Sequence, residues 1–192
     1  RQRQMCIRDS AKTDLFAELD ETVFTFRERA LRDGIEVKYS IPEVPAIANA
    51  DANRLKQVFM NILDNALKYS RSPSKIFVKA EFTKLDNQNF VKIAIADQGC
   101  GISKEDLPHV KEKFYKANVS VRGSGIGLAV TNEIVNLHHG KLEIDSQEGK
   151  GTLVTIYLPV ENSPTKNELN DMKQNETVQD AEINEGVEIN KN

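Results

Sequence analysis

The sequence predicts an α+β domain, a two-layer α/β sandwich with helices on one face of a mixed, mostly antiparallel sheet. Three observations lead there. Apolar residues recur at helical spacing in three stretches, near residues 14–31, 51–70 and 128–137. Two pairs of segments instead alternate apolar and polar residues around polar or glycine turns, as antiparallel hairpins do. Helices and hairpins also alternate along the chain, an order that layers helices over a sheet.

The elements follow in turn. Leu15, Leu19, Val23, Phe26 and Ala30 mark one face of a first helix. Asp33-Gly34 ends it, glycine suiting the left-handed position past a helix end. Residues 35–41, IEVKYSI, alternate like a strand until Pro42 and Pro45 break the pattern. The clearest helix is ADANRLKQVFMNILDNALKYS, with Asp51 as its N-cap and Leu55, Phe59, Ile62, Leu63 and Ala66 on its buried face. SKIFVKAEF and NFVKIAIAD form a hairpin around the polar turn TKLDNQN. Residues 98–125 carry little regular signal. Leu128 to Leu137 is a third helix, ending at His138, His139 and Gly140, and KLEIDSQEGKGTLVTIYLP is a second hairpin.

Composition bounds the function. The chain has 192 residues, 39% hydrophobic and 29% charged, the balance of a soluble globular domain. Residues 161–192 hold eight acidic and three basic residues, net −5, so the first 160 carry about +2 of the whole-chain −3. That near-neutral body has no basic stripe and argues against a nucleic-acid partner. No apolar run approaches the roughly 20 residues of a membrane helix, and no signal-peptide pattern is present. Cys6 and Cys100 form neither a disulfide framework nor a CxxC pair, which fits a reducing, cytoplasmic setting. Residues 1–10, RQRQMCIRDS, match no periodic template and resemble a translated adaptor sequence; they are read as a non-native or disordered leader. The domain proper is read as residues 11–160. The polar, Asn/Glu-rich residues 161–192, which lack aromatics, are read as an acidic disordered tail.

Three stretches carry candidate chemistry. RGSGIGLAV, residues 122–130, runs glycines into a helix start, where unsatisfied N–H groups and the helix dipole favour an anion. It is not a Walker A loop, because Gly127 is followed by Leu128 rather than Lys-Ser/Thr. A dinucleotide fingerprint fails too, since its third glycine position is Leu128 and no buried strand precedes it. By itself the stretch reads equally as a flexible loop entering a helix. In IAIADQGCGI, Asp97 leaves an apolar strand into a turn pinched by Gly99 and Gly101. A carboxylate there points into a cleft and needs donors, which a purine amine can supply; an ordinary Asp-Gly turn is the plain alternative. On the long helix, Asn61, Asn65 and Lys68 share a narrow arc beside the buried face. Two amides and an ammonium suit a magnesium triphosphate, in which Mg²⁺ takes few protein ligands; a solvated polar face is the alternative.

In order, NILDNALKYS, DQGCGI, EKFYKA and RGSGIGL resemble the N, G1, F and G2 boxes of the GHKL superfamily, most closely the catalytic ATP-binding domains of sensor histidine kinases. The resemblance covers roughly residues 13–160, including the closing HHGKLEIDSQEGKGTLVTIYLP, and implies the Bergerat ATP-binding fold, ATP and Mg²⁺. By matched position, Asn65 is implied as the Mg²⁺ ligand with Asn61 one turn earlier, Lys68 as a phosphate contact, and Tyr69 as a contact to adenosine. Asp97 would accept the adenine amino hydrogen, with Gly99, Gly101 and Ile102 around the ring and Thr152 supporting the carboxylate through water. Phe114 and Tyr115 would anchor an ATP lid whose cationic phosphate contacts are Lys116 and Arg122. Gly123, Ser124, Gly125, Ile126, Gly127 and Leu128 would form the cradle.

In the superfamily's ATP hydrolases a glutamate stands four residues before the Mg²⁺ asparagine. Here that position is Asn61, which cannot serve as a general base at neutral pH. The resemblance thus favours phosphoryl transfer, which needs positioning and charge neutralisation. The acceptor would be a histidine on an upstream dimerisation domain, and through it a response regulator. No S-H-E-like acceptor motif occurs in this sequence, and His109, His138 and His139 are read as structural or capping residues. The segment is therefore expected to be a cytoplasmic, monomeric piece of a longer protein that can be membrane-anchored elsewhere. A stand-alone anti-sigma-type GHKL protein serine kinase is the alternative.

Overall fold

The structure, a computed structural model, describes residues 10–115, 125–165, 167, 168 and 178–188. Five strands form one sheet in the order β2(Ile35–Ser40)-β4(Ser74–Leu85)-β5(Gln88–Asp97)-β7(Gly151–Pro159)-β6(Lys141–Gln147). Only β2 and β4 run parallel; the other neighbours are antiparallel. Helices α1(Leu15–Arg32), α2(Ala52–Tyr69) and α3(Gly127–Leu137) form the second layer. The predicted α+β sandwich is the fold found.

The core lies between the layers. Leu55, Phe59, Ile62 and Leu63 of α2 meet Val91, Ile93 and Ile95, alternate residues of β5. All are at most 2% exposed, and each such side chain contributes roughly 1.5–3 kcal/mol on leaving water. Both long helices start on aspartates. Asp14 accepts from the N–H groups of Phe16 and Ala17, and Asp51 from that of Arg54. Asp33 and Gly34, the latter at φ 72°, close α1 as the sequence predicts.

Three features depart from the sequence reading. A two-stranded ladder, β1(Ala11–Asp14) with β3(Ile47–Ala50), went unseen because AIANA has weak strand propensity and is specified by its partner. The first hairpin is longer than its pattern suggests. The strands continue to Leu85 and Gln88, and only Asp86 and Asn87, at φ 49° and 64°, make the turn. Both residue types tolerate that left-handed backbone. Third, the stretch expected to be a disordered tail contains a helix, α4(Val178–Glu188), packed on the outer face of the sheet. Composition averaged over residues 161–192 hides Ile183 and Val187, one turn apart and both buried. The chain is also ordered past residue 160: Glu161 N–H donates to Ile47 O at 2.8 Å, and Asn162 bonds both Ile47 N and Pro45 O.

His138 ties the helices together. It is 7% exposed, its Nδ1 lies 2.8 Å from Ile134 O, and its Nε2 accepts the backbone N–H of Asp51 at 3.1 Å. The C-terminus of α3 is thereby latched to the start of α2, the structural role expected of this residue. Replacing His138 by Ala leaves the Asp51 N–H without its acceptor and is expected to cost about 1–3 kcal/mol in urea unfolding. His139 is exposed but at φ 57°, so the same substitution there is expected to cost less than at His138, up to about 1 kcal/mol.

Candidate functional site

Asp97 follows Val91, Ile93 and Ile95 in the alternation of β5, so its side chain is turned to the helix face and is 6% exposed. A carboxylate in that place needs donors. Its Oδ1 accepts the Gly99 N–H at 2.8 Å and the Thr152 N–H at 3.3 Å. Burial still dominates and pushes the Asp97 carboxyl up to about 6, with those two N–H groups pulling it back.

The turn after Asp97 is sewn to its surroundings. Cys100 N–H donates to Tyr69 O at 3.2 Å, and Cys100 O accepts the Gly149 N–H at 2.7 Å. A Cβ on Gly99 would stand 2.6 Å from Tyr69 O and 2.7 Å from Asp97 Oδ1. On Gly151, at φ 127°, it would stand 1.9 Å from Asp97 O. Both positions therefore require glycine. Sequence reasoning missed Ser146, whose hydroxyl accepts the Ile102 N–H at 2.9 Å, donates to Gly151 O at 2.8 Å and lies 2.9 Å from Thr152 Oγ1. Only the register pairing Ser146 with Thr152 reveals it.

On α2, Asn61 and Asn65 are half-buried and Lys68 is exposed, as a stripe beside the core face should be. Asn61 Nδ2 lies 3.5 Å from Gly127 O and 3.4 Å from the hydroxyl of Thr131, joining α2 to the first turn of α3. Lys68 Nζ sits 4.9 Å from the centre of the Tyr69 ring, a cation–π distance. Tyr69 itself ends α2, directly above the Asp97 turn.

The N-terminus of α3 differs from those of α1 and α2, since Ile126 supplies no side-chain cap. Among the described residues, no heavy atom stands within 4 Å of a Cβ placed on Gly127. Just before, Phe114 N–H donates to Gly125 O at 3.0 Å and pins the two ends of the intervening loop together. Phe114 is 73% exposed, and the Tyr115 hydroxyl donates to Asp106, which also accepts from Ser103. These bonds hold the Asp106 carboxyl below its ordinary value and the Tyr115 phenol above it. Lys116, Arg122, Gly123 and Ser124 lie outside the described residues. The structure brings Tyr69, Asp97, Gly99 and Thr152 together around one turn, and Asn61, Gly127 and Thr131 together where α2 meets α3.

Residues 50–162 match the family described as histidine kinase-, DNA gyrase B-, and HSP90-like ATPase. The chain belongs to this family. It is similar to the non-motile and phage-resistance protein of Caulobacter vibrioides, 34% identical over 77% of this chain and 18% of that protein. It is 33% identical to the sensor histidine kinase WalK of Bacillus subtilis over 65% of this chain and 21% of the relative. The chain thus spans about a fifth of the length of each of these two curated relatives. Among solved structures, a mycobacterial sensor histidine kinase, MprB, superposes with a TM-score of 0.65 at 28% identity, over 81% of this chain and all of that one. The family's ATP-binding catalytic domain, in its sensor histidine kinase form, is the fold described above, and these likenesses favour it over the stand-alone serine kinase.

The Asp97 environment makes a pH prediction. Its folded-state carboxyl binds a proton more tightly than the unfolded one, at 3.8. The folded state therefore holds the extra proton between those values, and stability falls as pH rises from about 4 to 6. Relative to Asp97→Asn, the native chain is expected to lose on the order of 2–3 kcal/mol over that interval in urea unfolding. Parallel pH curves for the two proteins would contradict it.

Proposed function

We propose that the cleft binds Mg-ATP and that the chain directs the γ-phosphoryl group to a histidine on a dimerisation domain, from which a response regulator receives it. The buried Asp97 carboxylate inside a turn too tight for any side chain carries this reading. A ring with an exocyclic amine fits such a site, because the carboxylate accepts while Gly99 and Gly101 let backbone approach the ring edge. Ile102 and Tyr69 would supply apolar contact to the base and sugar, and Ser146 holds Thr152 in place beside the carboxylate.

The phosphate end fits as well. The uncapped first turn of α3, with Gly125, Ile126, Gly127 and Leu128, offers N–H groups and a favourable dipole to an anion. Asn65 would give a neutral oxygen to Mg²⁺, and Lys68, Lys116 and Arg122 would offset phosphate charge. Asn61 is a positioning residue, holding α2 against α3 by its bonds to Gly127 and Thr131. Bound Mg-ATP supplies the phosphoryl group and the metal charge; in the transfer, the bond from γ-phosphorus to the ADP oxygen breaks as one to the acceptor nitrogen forms. Phe114 and Tyr115, tied through Gly125 and Asp106, would anchor the segment that leads to α3. Two of the three histidines are already engaged: both ring nitrogens of His138 are bonded, and His109 pairs with Glu112. The similarity to sensor histidine kinases supports the direction of transfer.

Calorimetry with a non-hydrolysable ATP analogue and Mg²⁺ tests the site. The unmodified chain is expected to bind, and Asp97→Asn to lose at least about 100-fold in affinity, the penalty of setting a second donor against the purine amine. Affinity is expected to strengthen as pH rises through about 6, where Asp97 ionises. Equal affinity for Asp97→Asn would overturn the proposal. Incubating this chain alone with labelled ATP is expected to give no phosphohistidine at His109, His138 or His139; label on any of them would contradict the proposed acceptor.

A further inference from the structure

The outer face of the sheet carries a second apolar cluster that the proposed chemistry does not use. Phe77, Ala94, Ala96 and Leu153 are at most 3% exposed, and α4 covers them with Ile183 and Val187. The fit is close. A Cβ on Gly186 would stand 2.5 Å from ring atoms of Phe77, so the helix backbone rests on that ring. Ala94 and Ala96 are small enough to let it approach. Charge holds the same place, since the Glu182 carboxylate pairs with Lys75 and, at 3.8 Å, with Lys38.

This contact lies directly behind the nucleotide cleft. Ala96 and Asp97 are successive residues of β5 and face opposite sides of the sheet. Ala96 pairs with Phe77 on one side and Leu153 on the other, both under α4. Asp97 pairs with Ile76 and with Thr152, whose N–H it accepts. Lys75, bound to Glu182 through its side chain, also donates its backbone N–H to Gln98 Oε1 at 2.9 Å, one residue past Asp97. The helix therefore grips the ends of β4 and β5, and Leu153 at the start of β7 shares the same buried cluster.

We infer that α4 is a positioning element for the nucleotide site, an intramolecular clamp that holds the ends of β4 and β5, and β7 beside them, in the arrangement that presents Asp97 and Thr152. Docked, it favours binding; released, it leaves those strand ends to fluctuate behind the cleft. This rests on the nucleotide reading given above.

The test uses the full chain and three variants. Gly186→Val drives a branched side chain into Phe77, Glu182→Lys sets like charges together, and Val23→Ala removes buried methyl groups from α1, which carries no residue of the cleft. Hydrogen exchange at residues 178–188 reports docking, calorimetry with the ATP analogue and Mg²⁺ reports affinity, and Tm reports stability. Both α4 variants are expected to lose amide protection in the helix and to bind about fivefold more weakly or worse, the low end of measured couplings between sites. Val23→Ala is expected to lower Tm while binding like the unmodified chain. Release of α4 with affinity within twofold of the unmodified chain would overturn the inference. So would protection of α4 surviving both substitutions, or Val23→Ala weakening binding equally. Failure of the unmodified chain to bind would instead overturn the nucleotide reading beneath it.

Discussion

A carboxylate at the end of a central buried strand has to be met by donors, and most of the local structure follows from meeting it. Asp97 has the Gly99 N–H in its own turn and the Thr152 N–H on the neighbouring strand. The first forces the chain to double back within two residues, beneath Tyr69 O, where a side chain at 99 has no room. The second fixes the register of β7 on β5, because slipping it by one residue would turn Thr152 and every core residue of β7 to the wrong face. Gly151 is then pressed against Asp97 O, and Ser146 on β6 must bridge Gly151 and Thr152. One acidic side chain thus constrains three strands and the end of α2.

The helix termini show a matching division of labour. α1 and α2 begin on aspartates that satisfy their own first turns, and the C-terminus of α3 is spent on His138, which reaches the start of α2. These ends are closed to ligands. The start of α3 has no side-chain cap from Ile126, and Asn61 of α2 meets it at Gly127. Four first-turn N–H groups per helix need partners, and the side-chain cap that supplies one at α1 and α2 is missing at α3.

Much of this was legible in the sequence, for physical reasons that differ by element. α1 was readable from its continuous apolar face and its Asp33-Gly34 end, and α2 from an apolar face that starts on the Asp51 cap; the Asp14 cap of α1 was seen only in the structure. Asp97 stood out as the carboxylate that ends the apolar run Ile93–Ala96. Ser146 was not readable, since nothing local marks a serine whose importance comes from lying opposite Thr152. β3 was hidden because its alanines suit burial under β1 more than they signal a strand. The α4 helix was lost to averaging: a polar, acidic tail is disordered by composition, yet Ile183, Gly186 and Val187 lie within five residues and suffice to dock on an alanine-floored groove. Composition predicts whether a segment can build its own core. It does not predict whether it can borrow one.

Asn61 connects the division of labour among helices to the direction of the chemistry. An acidic residue at this position could activate water, whereas an amide cannot take a proton at neutral pH. The structure gives the amide other work, bonding Gly127 and Thr131 and so setting the distance between the α2 stripe and the uncapped end of α3. A carboxylate in its place would face Gly127 O with no proton to donate, and like-signed oxygens would push the two helices apart. The amide that cannot act as a general base is thus also the donor that joins α2 to α3. An amide at this position fits the proposed transfer, which needs positioning and charge neutralisation rather than a base that activates water.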